Sequence, residues 1–383
     1  MKHRSIIQIC PCYVDLDRET GGVANVVRQI CLQLARRQRR VRLICGNREL
    51  GKTMAPAGRV QANEFIEVEV LDQRSHPLLG PVSELTRHIR ALSQDSVAHV
   101  HTCFSAFTEV AMRTLHSRQI PFIFTPHGKL SSHLFEQNYW AKQMWWAYRG
   151  RKSVQNAAAI AASSIEEARQ LERFRLNQQV HSIPNGYESP SDLRSLDRII
   201  PNPYILFLGY LDPRKQPGFL IEAFARSKAR HTHLLVFVGP DSYSLQDSLQ
   251  LRAKELGVDK RVMFYGPAYG PTKWSFLQHA TCICLPSLGE GLPVVLCEAL
   301  GAGTPAIFSQ ECNFSELADE GAGITPRGFD ATLWGDGIDK ICLDRPSYES
   351  MKKSAERLRP QYTWKEISHR WQRLYDFTAN ARP

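Results

Sequence analysis

The sequence predicts an α/β fold of two doubly wound domains joined by one linker, and three observations predict it. The chain has 383 residues, too many for one ordinary core and suited to two domains of about 150–200 residues each. Short β-branched runs alternate with stretches of helical spacing, the rhythm of parallel sheets wrapped by helices. That rhythm breaks once, at IPNGYESPSDLRSLDRIIPNP (183–203), which is rich in Pro, Asn and Ser as linkers are, and then resumes.

In the first half, Ser5–Ile9, Val41–Cys45, Val97–His101, Pro121–Thr125 and Ala158–Ala162 read as buried strands. Between the first two, Val23, Val26, Val27, Ile30 and Leu34 recur at helical spacing. After the linker the strands are Tyr204–Leu208, Leu234–Val238, Arg261–Tyr265, Thr281–Leu285 and Pro305–Phe308. Near the end, Trp364, Ile367, Trp371 and Leu374 mark a helix over Trp364–Phe377 that is expected to pack back across the linker. The expected domains are therefore a Rossmann-like 1–190, a Rossmann-like 200–360, and a closing helical segment at 361–383. Open α/β sheets of this Rossmann-like kind bind ligands at the carboxyl ends of their strands. Two such domains are expected to face each other across a cleft.

Composition narrows the classes. No stretch of about 18 uncharged apolar residues occurs, so no membrane-spanning helix is expected. The apolar run Ile6–Cys10 is shorter than the ~7–15-residue core of a signal peptide, which makes a cytoplasmic protein the expectation. Ten scattered cysteines form no C-x-x-C pair, and Cys10, Cys45, Cys282, Cys284 and Cys297 lie in apolar runs as reduced core thiols do. The net charge of +10 suits nucleic acid, an anionic membrane or a phosphorylated substrate. Charge alone does not choose among them, and no nucleic-acid motif is present.

The most informative run is SLGEGLPVVLCEAL (287–300), followed by GAGTP (301–305). Leu285 ends a strand, and Pro293 stands where a first helical turn would begin. A helix start offers N–H groups around Gly291 and Leu292 and a positive dipole end, which suits a diphosphate. Glu298, inside the helix, is placed to accept from a ribose, and Glu290, on the turn, from the hydroxyls of a sugar. Taken singly, Glu290 also reads as a surface carboxylate at a helix start, and Glu298 as a solvated helix residue.

This run resembles the E-x7-E signature of family 4 glycosyltransferases, with both carboxylates, the preceding Ser, the intervening Gly-Leu-Pro and the following G-x-P. The likeness extends over nearly the whole chain: ETGGVANVV (19–27), the strand end after His99, TPHGKL (125–130), IPNG (183–186), LFLGYLDPRKQPGFLIEAF (206–224) and FYGPAYG (264–270). It implies the GT-B fold and a retaining enzyme. Gly21 and Gly22 would face the donor phosphates, His127 the transferred sugar, and the segment around Gly266 the base. The loop after strand Tyr204–Leu208 would set cations against the diphosphate. There Lys215 matches the family, but Tyr210 stands where the family carries Arg, and adjacent Arg214 is expected to compensate.

The resemblance further implies a metal-independent reaction with no cofactor, the nucleotide-sugar being a substrate. Fixed cations and a helix dipole would stabilise the leaving diphosphate. The one D-x-D, Asp15-Leu16-Asp17, lies in the first loop and is not assigned a metal. The expected acceptor is a glycan or lipid-linked sugar of surface polysaccharide or glycolipid synthesis. Arg36, Arg37, Arg39 and Arg40, with YWAKQMWWAYRGRK (139–152), suit an anionic membrane surface; the alternative is a helix with its Trp face in the core. Competing functions are a nucleotide-sugar epimerase or phosphorylase on the same fold, and a binding or scaffold subunit whose site has weakened at Tyr210.

Overall fold

Strands made of unbroken apolar runs have no polar face and must be covered on both sides, which parallel sheets wrapped by helices achieve. A computed structural model, which describes residues 4–49, 52–72, 82–130, 139–176 and 179–380, shows two such sheets. The chain divides into two compact units, Met1–Pro184 with Trp364–Pro383, and Asn185–Thr363.

The first unit holds an eight-stranded sheet. Its strands are β1 (Ile6–Cys10), β2 (Val41–Gly46), β3 (Gly58–Gln61), β4 (Ile66–Leu71), β5 (Val97–His101), β6 (Phe122–Thr125), β7 (Ala159–Ala162) and β8 (Val180–Ser182). Their order is β8-β7-β6-β5-β1-β2-β4-β3, parallel except for β3 against β4. The sequence order reverses between β1 and β5, so the loops after these strands leave the sheet side by side. Helix α1 (Gly22–Arg36) follows β1, and α2 (Ile165–Glu172) follows β7.

The second unit holds β9 (Tyr204–Leu208), β10 (Leu234–Val238), β11 (Val262–Gly266), β12 (Cys282–Leu285), β13 (Ala306–Phe308) and β14 (Gly323–Ile324), all parallel, in the order β11-β10-β9-β12-β13-β14. Its reversal lies between β9 and β12. Helix α3 (Pro217–Arg226) follows β9, α4 (Gly270–His279) follows β11, and α5 (Val294–Ala302) follows β12. Each unit has its own core. Phe207, Phe224, Phe237 and Trp334 fill the second, and Phe122, Phe124, Met112 and Leu115 the first.

The last helix, α6 (Trp364–Asn380), packs on α1 and on β5 and β6 of the first unit. Trp364, Ile367, Trp371 and Leu374 are all buried, as their spacing predicts. Arg37 donates to the Ser368 hydroxyl at 3.0 Å, and Arg39 pairs with Asp376 at 3.4 Å. Two of the four arginines at the end of α1 thus hold this helix, and Arg36 and Arg40 are exposed. Among the described residues no helix is long and apolar enough to cross a membrane.

Candidate functional site

In the second unit, the loops after β9 and β12 meet beside the reversal. Gly209 (φ 143°) directly follows β9, and Gly239 (φ 147°) directly follows β10. A side chain on Gly239 would meet the Gly209 carbonyl oxygen at 1.9 Å, so only glycine lets these loops lie together. After half-buried Tyr210, Pro213–Lys215 forms a single 3₁₀ turn closed by Gln216 in the left-handed region (φ 50°). The turn is irregular, so Arg214 and Lys215 do not alternate as they would on a strand.

Lys215 Nζ donates to Glu290 Oε1 at 2.7 Å, and the Ser287 hydroxyl donates to the same oxygen at 3.1 Å. The Leu288 N–H donates to the Arg214 carbonyl at 2.8 Å, tying the two loops through the backbone. The peptide groups of Glu290 are fixed as well: its N–H donates to Glu311 O at 2.9 Å, and Asn313 Nδ2 donates to its carbonyl at 2.6 Å. Arg214 is held differently, with Nη2 on Asp212 Oδ2 at 2.5 Å and Nε on both carboxylate oxygens. Burial pushes the Asp212 carboxyl up, but hydrogen bonds from Arg214 and the charges of Arg214 and Lys215 outweigh it and hold it below the usual range.

Pro293 caps α5, and its helical turns begin at Val294. Gly291 and Leu292 just before it are buried, and their N–H groups meet no acceptor among the described residues. Buried N–H groups are almost always bonded, so this pair, at the positive end of a helix, is suited to an anion. The Asn185 side chain donates to the Leu292 carbonyl at 2.7 Å, which gives the IPNG segment a bracing task. Glu298 is buried, not solvated, and Lys273 of α4 donates to its Oε1 at 2.6 Å. Gly266 (φ 89°) ends β11 and accepts from the Gly239 N–H at 2.8 Å.

In the first unit, Gly21 caps α1 and its carbonyl accepts from Asn25 at 2.9 Å; space beyond Gly22 is open, with nothing within 4 Å of where a Cβ would stand. Asp15 Oδ1 accepts from the N–H groups of Asp17 and Arg18, so the D-x-D closes its own turn. Thr102 (φ 65°), Phe104 (φ 57°) and His127 (φ 52°) all hold left-handed backbone just beyond β5 and β6. Side chains rarely accept that conformation, and such residues cluster at functional sites. The Gly128 N–H after His127 donates to Glu167 of α2, which also accepts from Ser163.

A chain of polar side chains backs His127. His101 Nδ1 lies 2.9 Å from His127 Nε2, and His101 Nε2 lies 2.8 Å from Gln8 Oε1. Gln8 Nε2 donates to the Tyr375 hydroxyl at 2.8 Å; His99 Nδ1 is 2.8 Å from that hydroxyl, and His99 Nε2 is 2.8 Å from Thr125 Oγ1. Burial lowers the pKa of His99 and His101. It lowers that of His127 to about 3, with the Lys129 charge acting in the same direction.

The aromatic segment 139–152 divides between the two readings of it. Trp146 is buried against Phe174, and Trp145 packs on Phe104. Trp140 and Tyr148 are 78% and 79% exposed and Met144 59%, near the exposed Arg149, Arg151 and Lys152.

Comparison with known proteins decides the family. The model for "Glycosyltransferase Family 4" matches residues 20–189, and that for "Glycosyl transferases group 1" matches 194–358. The chain belongs to the family 4 glycosyltransferases. Among relatives of this family 4 chain, a D-inositol 3-phosphate glycosyltransferase of Nocardia farcinica is 28% identical over 231 residues, 56% of this chain and 51% of that protein. One of Corynebacterium glutamicum is 22% identical over 383 residues, 83% of this chain and 89% of that protein. For the first relatives the match spans about half of their length or somewhat less. A sucrose-phosphate synthase of Thermosynechococcus elongatus superposes with a TM-score of 0.79 at 19% identity, covering 97% of this chain and 98% of that one. Anabaena Alr3699/HepE, solved with UDP and glucose, superposes with a TM-score of 0.73 at 18% identity, over 98% of this chain and 100% of that one. These likenesses give the family 4 chain the GT-B fold.

Motif reading of the sequence did not find Lys273, Asp212, Gln8, Glu167 or Tyr375. Two of them left a signal. Ser164-Ile165-Glu166-Glu167 has the spacing of a helix capping box. Gln8 is the one polar residue in the run IIQIC, and a polar residue in a buried strand must find partners.

Proposed function

We propose that the protein is a retaining glycosyltransferase that moves a sugar from a nucleoside diphosphate donor to a glycan or lipid-linked acceptor in surface polysaccharide or glycolipid synthesis. The observation that carries this reading is the meeting of Lys215 and Glu290 at 2.7 Å beside buried Gly291 and Leu292, whose N–H groups meet no acceptor among the described residues. A diphosphate supplies the acceptors those groups lack. Lys215 and Arg214 offset the charge that grows on it as the sugar leaves, and Glu290 binds hydroxyls of the sugar. Glu298 takes the ribose and the segment around Gly266 the base; the phosphate-facing role of Gly21 and Gly22 is carried by the family resemblance of ETGGVANVV alone. His127 contacts the transferred sugar. With the charge met by fixed groups, the reaction runs without a metal ion. The donor phosphate assists the acceptor hydroxyl, and departure takes place on the same face of the sugar.

A second reading concerns the acceptor. The names of relatives and neighbours, D-inositol 3-phosphate glycosyltransferase and sucrose-phosphate synthase, favour a small phosphorylated polyol or sugar. A screen of nucleotide-sugars for nucleotide release tests the donor, and identification of the product separates the two acceptor classes. Binding without release would support a scaffold, and altered sugar without transfer an epimerase. Peripheral membrane association belongs to the lipid-linked reading, supported by exposed Trp140, Met144 and Tyr148 near three exposed basic residues.

A further inference from the structure

His127 has two ring nitrogens, and what a ligand meets depends on which one carries the proton. The packing of the first unit decides this from a distance. A carboxamide oxygen only accepts, and Gln8 directs its oxygen at His101 Nε2 (2.8 Å) because its nitrogen is spent on the Tyr375 hydroxyl (2.8 Å). His101 must therefore carry its proton on Nε2. A neutral imidazole has one N–H, so His101 Nδ1 is a bare acceptor. That nitrogen faces His127 Nε2 at 2.9 Å, and a hydrogen bond there requires the proton on His127 Nε2. His127 Nδ1 is then the bare nitrogen, with no partner among the described residues.

We propose that Gln8, held by Tyr375 of the last helix, sets the tautomer of His127 through His101, so that His127 presents Nδ1 to the sugar as an acceptor for a hydroxyl. Gln8, His101 and Tyr375 are positioning residues, and of these four residues His127 alone touches substrate. The assignment rests on the reading of His127 as the sugar contact. It adds a demand on specificity: the donor sugar must bring an O–H to this point, and a group that only accepts there faces the lone pair of Nδ1. Placing a participant on α6 also makes the site depend on a helix far along the chain from His127. Gln8 and Tyr375 are 0% and 1% exposed, and His101 is 0% exposed, so water does not compete for their bonds.

The sense of the chain is directly measurable. Nitrogen-15 spectra of the histidine-labelled full-length protein should show a scalar coupling across the His127–His101 hydrogen bond, with the proton attached to His127 Nε2. The proton on His101 Nδ1, or no coupling at all, would overturn the proposal. Gln8→Leu removes the acceptor and should abolish the coupling, while kcat falls about tenfold, the worth of one hydrogen bond of roughly 1.4 kcal/mol. Gln8→Glu keeps an oxygen toward His101 and should retain the coupling. If Gln8→Leu does not fold, the wild-type spectrum still decides. The test separates the two readings: wild-type activity in His127→Ala, with the expected coupling seen in the unsubstituted protein, removes the sugar contact alone. Loss of activity in His127→Ala, with the proton found reversed in the unsubstituted protein, removes only the relay.

Discussion

Glu298 and Lys273 offer the sharpest quantitative test, because the carboxylate proposed to bind ribose is also half of a buried ion pair. Lys273 Nζ and Glu298 Oε1 are 2.6 Å apart, with 8% and 9% of their side chains exposed. Glu298→Ala removes the ribose acceptor and at the same moment leaves the Lys273 ammonium without this carboxylate. Breaking one side of a buried pair costs about 3–5 kcal/mol, a large part of the ~5–15 kcal/mol that holds a typical domain folded. The single variant should therefore lose both affinity and stability, and the loss of affinity cannot be read alone. Lys273→Met with Glu298→Leu removes both charges and fills the space with apolar atoms, which is close to neutral for stability.

That double variant separates the effects. By urea unfolding it should sit near the wild type, and Glu298→Ala about 3–5 kcal/mol below it. In calorimetric titration with a panel of nucleoside diphosphates, both should bind more weakly. Loss of hydrogen bonds to a charged group, about 1.5–3 kcal/mol, corresponds to roughly ten- to more than a hundredfold. Wild-type affinity in the double variant would remove Glu298 from the donor site. Wild-type stability in Glu298→Ala would show that the buried pair does not carry the energy assigned to it.

Four further outcomes are expected. Chelation with EDTA should leave transfer unchanged, and loss of activity restored by added Mn²⁺ would refute the metal-free route. If Arg214 supplies the second cation, Arg214→Ala and Lys215→Ala should lower kcat alike and Tyr210→Arg should add little; a silent Arg214→Ala beside an activated Tyr210→Arg would sink that assignment. Binding to liposomes with anionic lipid should weaken with salt and with Trp140→Ala/Tyr148→Ala, whereas equal absence of binding with and without anionic lipid would reject the membrane face. Stability should fall as pH drops below about 6.5, the ordinary value for histidine, because the unfolded chain then binds protons that buried His99 and His101 refuse. With His127, whose pKa burial also lowers, to about 3, these three groups give a slope of up to about 4.1 kcal/mol per pH unit, partly offset by Glu167, which burial holds above the usual carboxylate range; a urea midpoint unchanged between pH 7.5 and 5.5 would refute it.

What was legible in the sequence was whatever burial forces on consecutive residues. YILFL and LLVFV have no polar face, and both form interior strands of a parallel sheet with the bounds read for them. Strands at or near the edge escaped. Gly58–Gln61 is wholly exposed, so nothing demanded apolar residues there. IEVEVL alternates because Glu67 and Glu69 turn to Arg42 of the neighbouring strand, at 3.0 and 3.2 Å. Two-residue β14 is too short to show a period at all.

The candidate site divides along the same line. Lys215 and Glu290 lie in contiguous motifs, and the reversal of strand order between β9 and β12 then brings them together. Their partners are different in kind. Lys273 faces Glu298 from another helix, and Tyr375 reaches Gln8 across 367 residues of chain. Spacing along the chain carries no trace of such pairs. What the sequence does hold is their cause: Gln8 within IIQIC, and His99 and His101 within VAHVH, are polar groups on strands with no solvent face. Each had to be answered by a bond inside the fold, since an unmade hydrogen bond there costs about 1–3 kcal/mol. Polar residues in a buried strand therefore announce a network before its other members can be named. In this chain that network ends at His127, the residue assigned to the sugar on wholly separate grounds.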